Sequence, residues 1–196
     1  MRTDLPMPEE NVHWPKTDDC RHQHLGPDRG GDAGDLQREV LVDDDTAVHV
    51  LMSSDDRGNL EAVVRATVSA AANYAGCHQG AVTVRICDDA AIHEINRQFL
   101  QHDYPTDVIS FPYAFDPPAV EGELVVSWET AVGSARKLGH PAIAELLLYV
   151  AHGCLHLCGY DDQDPNSRKQ MRRAEKAVLG RLRQQEMLGE DLKNLS

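Results

Sequence analysis

Basic residues are scarce in this chain: 19 Lys and Arg stand against 32 Asp and Glu, a formal net charge of −13 over 196 residues. Such a balance argues against a protein that binds nucleic acid over its whole surface, because phosphate contacts need Lys and Arg. Cysteine is sparse too. The five present (Cys20, Cys77, Cys87, Cys154 and Cys158) form no C-x-x-C pair and are odd in number, which argues against a disulfide framework and for a reducing compartment. Nowhere do eighteen apolar residues follow one another, and Met1-Arg2-Thr3-Asp4 opens no apolar leader. A soluble, cytoplasmic protein without membrane contact is therefore expected. No internal repeat is present.

The acidic excess is uneven. Residues 1–45 carry 5 basic and 12 acidic side chains, a net of −7, against −6 for the remainder. They are rich in Gly, Pro, Asp and His, lack a periodic apolar pattern and end in Asp43-Asp44-Asp45, so they read as a disordered acidic extension. His13, His22 and His24 are then scattered tail histidines. Residues 46–196 suit one domain, long enough to bury a core without disulfides or other staples.

Within that domain, Ala47 to Met52 reads as a strand and Asp55-Asp56-Arg57-Gly58-Asn59 as a turn. Leu60, Val63, Val64, Thr67, Val68 and Ala71 recur at helical spacing up to Tyr74, with Gly76 as the stop. Ala81 to Cys87 alternates as a half-buried strand, and Asp88 or Asp89 caps a helix running to Phe99. Val108 to Phe111 is a short strand closed by Pro112, and its flanking prolines place it at a sheet edge. Glu121 to Ser127 is another strand, and Ser127 caps a helix from Trp128 to Leu138 that Gly139-His140-Pro141 breaks. A final helix spans about Asn166 to Gln185, with Met171, Ala174, Val178 and Leu182 opposite the basic stripe Arg168, Lys169, Arg172, Arg173 and Lys176. That stripe reads as a solvated face and is also the best candidate for touching phosphates.

Between the last two helices, residues 144–150 are apolar except for Glu145, then His152-Gly153-Cys154-Leu155-His156 follows. Two histidines four apart share one face of a helix, about a turn from each other, which is chelating geometry. Cys154 and Cys158 project roughly the other way and are not counted as ligands. Gly159 ends the helix in a left-handed conformation and turns the chain back, bringing Asp161 or Asp162 toward the pair as a third ligand. Zinc held by three protein groups keeps a fourth position for water, whose pKa then falls to roughly 7.

These residues resemble the YbeY-type endoribonucleases of bacterial ribosomal RNA maturation. The family signature H-G-x-L-H-L-x-G-Y-D-H is similar to HGCLHLCGYDD here, ten of eleven positions agreeing or being wild cards. A second block, N-x-x-Y-R-x-x-D-x-P-T-[DN]-V-L-S-F-P, is similar to Asn96 through Pro112, with Asn96, Asp103, Pro105, Thr106, Asp107, Val108, Ser110, Phe111 and Pro112 in place. Gly122-Glu123, Met171 and Glu175 match more weakly.

The resemblance implies an α+β fold: a small mixed β-sheet packed with helices, and a zincin-like metal helix beside an edge-strand cleft. It implies cleavage of single-stranded RNA, not DNA, with one Zn2+ per chain, acting on precursor 16S rRNA near its 3′ end and in ribosome quality control. The small ribosomal subunit is the implied partner. The chain departs from the family twice. The final signature His is Asp162 here, whose carboxylate is an acceptable zinc ligand at about 2.0–2.2 Å, so the expected ligands are His152, His156 and Asp162. The family Arg is Leu100 here, and Arg97, three residues earlier on the same helix, is the candidate replacement for neutralising the scissile phosphate. Leu100 also motivates a second reading, a ribosome-associated binding protein with weakened catalysis. A zinc peptidase is the third, but its H-E-x-x-H glutamate is replaced by Gly153.

Overall fold

In the computed structural model, residues 37–42 and 54–184 are described, with side chains described from Asn59 onward. The elements run β1 (Gln37–Val42), α1 (Ser54–Tyr74), β2 (Gln79–Cys87), α2 (Asp89–Ile95) continuing into a π turn (Asn96–Leu100), β3 (Val108–Asp116), β4 (Ala119–Ser127), α3 (Trp128–Leu138), α4 (Ala142–Leu157) and α5 (Pro165–Gln184). The four strands lie in the order β1-β2-β4-β3. The first three in that order are parallel, and β3 is antiparallel to β4 at the free edge. This is the α+β class with a small mixed sheet that the family resemblance implied.

One face of the sheet and the helices α1, α4 and α5 make most of the core, with Met171, Ala174, Val178 and Leu182 of α5 buried in it. Val82, Val84 and Ile86 of β2 stand in register with Gly122, Leu124 and Val126 of β4, alternate residues sharing one face. They form one buried cluster with Val64 and Val68 of α1 and most of α4. In α4, Leu146, Leu147, Leu155 and Leu157 are at most 2% exposed, and each contributes about 1.5–3 kcal/mol of burial. No single helix among the described residues is long and apolar enough to cross a membrane.

Two glycines set how closely α4 approaches the sheet. A Cβ on Gly153 would lie 2.9 Å from Leu124 Cδ2 and from Val108 Cγ2, and 3.1 Å from Ser110 Oγ. A Cβ on Gly122 of β4 would lie 2.7 Å from the Phe111 carbonyl oxygen and 2.8 Å from Leu157 Cδ2. Helix and edge strand therefore meet backbone to side chain, and the Ser110 hydroxyl donates to the Gly153 carbonyl at 3.2 Å. The helix carrying the histidines is thereby fixed against β3.

The caps follow the side chains expected to make them. Asp88 accepts from the Ala91 N–H at 2.7 Å and Ser127 from the Thr130 N–H at 3.0 Å. Gly76, Gly139 and Gly159 turn the chain at φ of 82°, 77° and 84°.

Four expectations change. The segment Asp55 to Asn59 is the start of α1 rather than a turn. Acidic residues suit a helix N-terminus, and the buried apolar stripe beyond them outweighs the cost of Gly58, about 1 kcal/mol. Residues 37–42, part of the stretch read as an extension, form β1. Val40-Leu41-Val42 is too short a run to stand out among acidic neighbours, and it becomes a strand by pairing with β2 from Gln37↔Ala81 to Val42↔Ile86. Pro112 does not close β3, which continues to Asp116 through an irregularity between Pro112 and Ala114. At a sheet edge a proline lacking N–H is tolerated, and a bulge absorbs the misfit. The helix expected to reach Phe99 becomes a π turn at Asn96. The strand expected at Ala47 to Met52, and the rest of the extension, lie outside the described residues.

The glycine contacts are testable by denaturation. Gly153→Ala should lower stability by about 1–3 kcal/mol, because the packed Leu124, Val108 and Ser110 side chains must give way. Gly133→Ala on α3, where an added Cβ meets nothing within 4 Å, should be neutral or stabilising by up to about 1 kcal/mol. Equal melting temperatures for the two variants would contradict this account.

Candidate metal centre

The two histidines of α4 face each other, Nε2 to Nε2, at 3.0 Å, with ring planes at 85°. Their tautomers follow from what the other nitrogens touch. A carbonyl only accepts, so His156 Nδ1, 3.0 Å from the Tyr160 carbonyl, carries the ring proton. His152 Nδ1 lies 2.7 Å from Glu175 Oε1 and donates to that carboxylate. With both Nδ1 atoms protonated, two neutral rings aim Nε2 lone pairs at one another. That arrangement is repulsive unless a proton or a cation sits between them.

The third group completes a donor set. Asp162 Oδ1 lies 3.9 Å from His156 Nε2, and the ligand atoms of His152, His156 and Asp162 all fall within 4.8 Å of one another. Tetrahedral zinc with bonds of about 2.0–2.1 Å holds neighbouring donors about 3.4 Å apart, so two imidazoles and a half-exposed carboxylate fit that ion with small side-chain movements. Asp161 is turned away, accepting from the N–H groups of Asp162 at 2.7 Å and Gln163 at 3.1 Å. Of the two aspartates considered, Asp162 is the one that joins the pair.

The loop bearing Asp162 is held from α5. Arg168 donates from Nε to the Asp162 carbonyl and from Nη2 to the Gln163 carbonyl, both at 3.0 Å. Asp164 caps α5 by accepting from Asn166 N–H at 2.7 Å, and the Ser167 hydroxyl with these N–H groups holds its carboxyl below the usual range. Burial depresses the His152 imidazole, but the Glu175 hydrogen bond and charge, with Asp162 and Asp107, outweigh it and raise the group above its ordinary value. For His156, burial and the neighbouring His152 prevail and lower it.

The remaining candidates are placed differently. Arg97 sits on the π turn, 60% exposed, with its Nη2 2.5 Å from Glu94 Oε2. Among the described residues no hydrogen bond joins it to His152, His156 or Asp162. Arg168 is committed to the loop carbonyls, whereas Lys169, Arg172, Arg173 and Lys176 are exposed on α5. Cys154 and Cys158 are buried away from the cluster. Burial pushes the Cys77 thiol up to about 12, and the Cys154 hydrogen bond together with burial raises Cys158, so these sulfurs stay protonated. Sequence reasoning noted Glu175 only as a family match and missed its bond to His152. It assigned Arg168 to a charge stripe, and spacing along one helix offers no signal for a contact made to a different loop.

Fold and donor set together define a small α+β protein with three side chains that could hold a metal ion gathered at the C-terminal end of a core helix. The particular family comes from comparison: the Endoribonuclease YbeY family profile matches residues 48–183, and the chain belongs to that family. It is 62% identical over 112 residues to the Endoribonuclease YbeY of Rhodopirellula baltica, covering 56% of this chain and 58% of that protein. It is 36% identical over 151 residues to that of Chloroflexus aggregans, covering 72% of this chain and 92% of that protein. Among solved structures, the solution structure of a Thermotoga maritima protein matches at 25% identity and a TM-score of 0.45, covering 82% of this chain and 99% of that chain.

Metal analysis of the purified protein should find one zinc per chain, lost in His156→Ala with the fold retained. Glu175→Gln, which weakens the acceptor for His152 Nδ1, should loosen zinc by about 10–100-fold in a chelator competition. A wild type without metal affinity would remove the centre.

Proposed function

We propose that this chain is a zinc-dependent, single-strand-specific endoribonuclease of the cytoplasm, acting with the small ribosomal subunit on the 3′ end of precursor 16S rRNA and in ribosome quality control. The observation that carries the reading is the pair of Nε2 atoms 3.0 Å apart with both Nδ1 atoms engaged, in a chain of the YbeY family. His152, His156 and Asp162 would hold the ion. When bound, zinc supplies a Lewis acid beside the scissile phosphate and makes a nearby water more acidic.

The chain's own groups do the rest. Glu175 and the Tyr160 carbonyl keep both Nε2 lone pairs aimed at one point. Arg168 keeps the Asp162 loop closed on α5. Arg97 is the guanidinium nearest in sequence to the Leu100 position, and its partner Glu94 costs little to release, since exposed ion pairs are worth about 0–1 kcal/mol. Its role is to neutralise the phosphodiester, and the exposed cations of α5 add a path for the flanking backbone.

A second reading, a ribosome-associated binding protein with weakened catalysis, is favoured by Leu100 and by the Arg97–Glu94 pair. The peptidase reading is weaker. Its helix glutamate would stand at Gly153, where even a Cβ meets Leu124 and Val108 at 2.9 Å.

Incubation with single-stranded RNA decides between them. The wild type should cleave, stop on chelation and recover with added zinc. His152→Ala should lose activity beyond about 100-fold, and Arg97→Ala should fall by about 10²–10³ in kcat. Retained subunit binding without metal-dependent cleavage by the wild type would select the binding protein. The terminal groups of the new RNA ends would identify the nucleophile, with a 2′,3′-cyclic phosphate marking attack by the 2′-hydroxyl and its absence marking attack by water.

A further inference from the structure

The segment between the π turn and β3 presents two rings that the candidate centre does not use. His102 and Tyr104 stack with centroids 5.4 Å apart and planes at 11°, and Tyr104 is 55% exposed. The backbone beneath them is braced. The side chain of Asn96, 1% exposed, donates to the Tyr104 carbonyl at 2.8 Å, and the Asn96 carbonyl accepts from His102 N–H at 3.3 Å. His93 Nε2 meets Asp103 Oδ1 at 2.9 Å, and the Ser127 N–H donates to the Asp107 carbonyl at 2.9 Å. Solvent-exposed aromatics on a loop fixed at both ends lose little entropy when a ligand stacks on them.

The position relative to the centre is bounded by the chain. Val108, the first residue of β3, lies against Gly153, the immediate neighbour of His152. Tyr104 is four residues upstream, so its Cα is at most about 14 Å of extended chain from Val108, a span of a few nucleotides. In a protein of net charge −13, stacking on a π face is also a way to hold RNA that needs no further cation. Positions 102 and 104 fall at wild cards of the N-x-x-Y-R-x-x-D-x-P-T block, so the block itself assigns these rings no role.

We propose that the His102–Tyr104 stack is a platform for one unpaired nucleobase of the substrate, setting preference for single-stranded RNA close to the cleaved bond. This rests on the endoribonuclease reading above. The outer face of Tyr104 takes the base, and His102 backs the ring.

Binding of a labelled 2′-O-methyl single-stranded oligonucleotide by anisotropy, with cleavage kinetics of its RNA counterpart, tests the platform. Tyr104→Ala should weaken binding and raise KM by about 5–100-fold with kcat unchanged, Tyr104→Trp should restore wild-type affinity within about threefold, and duplex RNA should be indifferent to either change. Removing bases one at a time from the oligonucleotide should reveal one position whose loss matches Tyr104→Ala in the wild type and adds nothing in that variant. Affinities unchanged by Tyr104→Ala, or losses from base removal and mutation that simply add, would overturn the platform while leaving wild-type cleavage intact. Binding that depends on Tyr104 in a protein that does not cleave would keep the platform and sink the enzyme. A wild type that neither binds nor cleaves would sink both, and capture of a ribosomal protein by this face instead of RNA would also overturn the assignment.

Discussion

Two lone pairs directed at the same point are the constraint on which the rest of the molecule depends. His152 and His156 reach a 3.0 Å Nε2 separation because Glu175 and the Tyr160 carbonyl have each claimed an Nδ1 proton. Neither partner belongs to the helix that bears the rings. One comes from α5 and the other from the loop just past Gly159, so the pair is oriented by tertiary structure. Burial alone would weaken both imidazoles as bases. The carboxylate of Glu175 reverses that for His152, leaving two rings of unlike basicity side by side.

Holding that pair at an open edge requires α4 to be both a core element and a wall of the site. Its leucines supply the burial, and its glycine supplies the proximity. Gly153 puts the histidine face directly beside Val108 and Ser110, and Gly122 makes room for the Leu157 side chain near the end of the same helix. Because β3 is the edge strand, the site opens beside a strand with no further neighbour in the sheet among the described residues. The replacement of a peptidase glutamate by glycine is thus a packing requirement as well as a chemical difference.

Much of this was legible in the residues. The histidine spacing, the left-handed Gly159 and the caps at Asp88 and Ser127 are local signals, each readable from a few neighbouring positions, and each appears where expected. What escaped was non-local. Val40-Leu41-Val42 becomes a strand only because β2 offers it an edge, and Asn96 shifts the helix register while its buried amide reaches Tyr104. Arg168 looked like one cation among five on a stripe until the loop it clasps was folded over it. Arg97 was expected to share an α-helical face with position 100, but the chain between them is a π turn and Glu94 pairs with the guanidinium at the surface.

The dependence on α5 has a temporal side. Arg168 and Glu175 lie late in the chain, and both act on residues made before them. During synthesis the sheet and α4 leave the ribosome first, with the histidines already present but their orienting carboxylate still to come. The nascent polypeptide therefore carries an unoriented histidine pair until its last described helix docks, and the donor set takes its final geometry only once α5 has been translated.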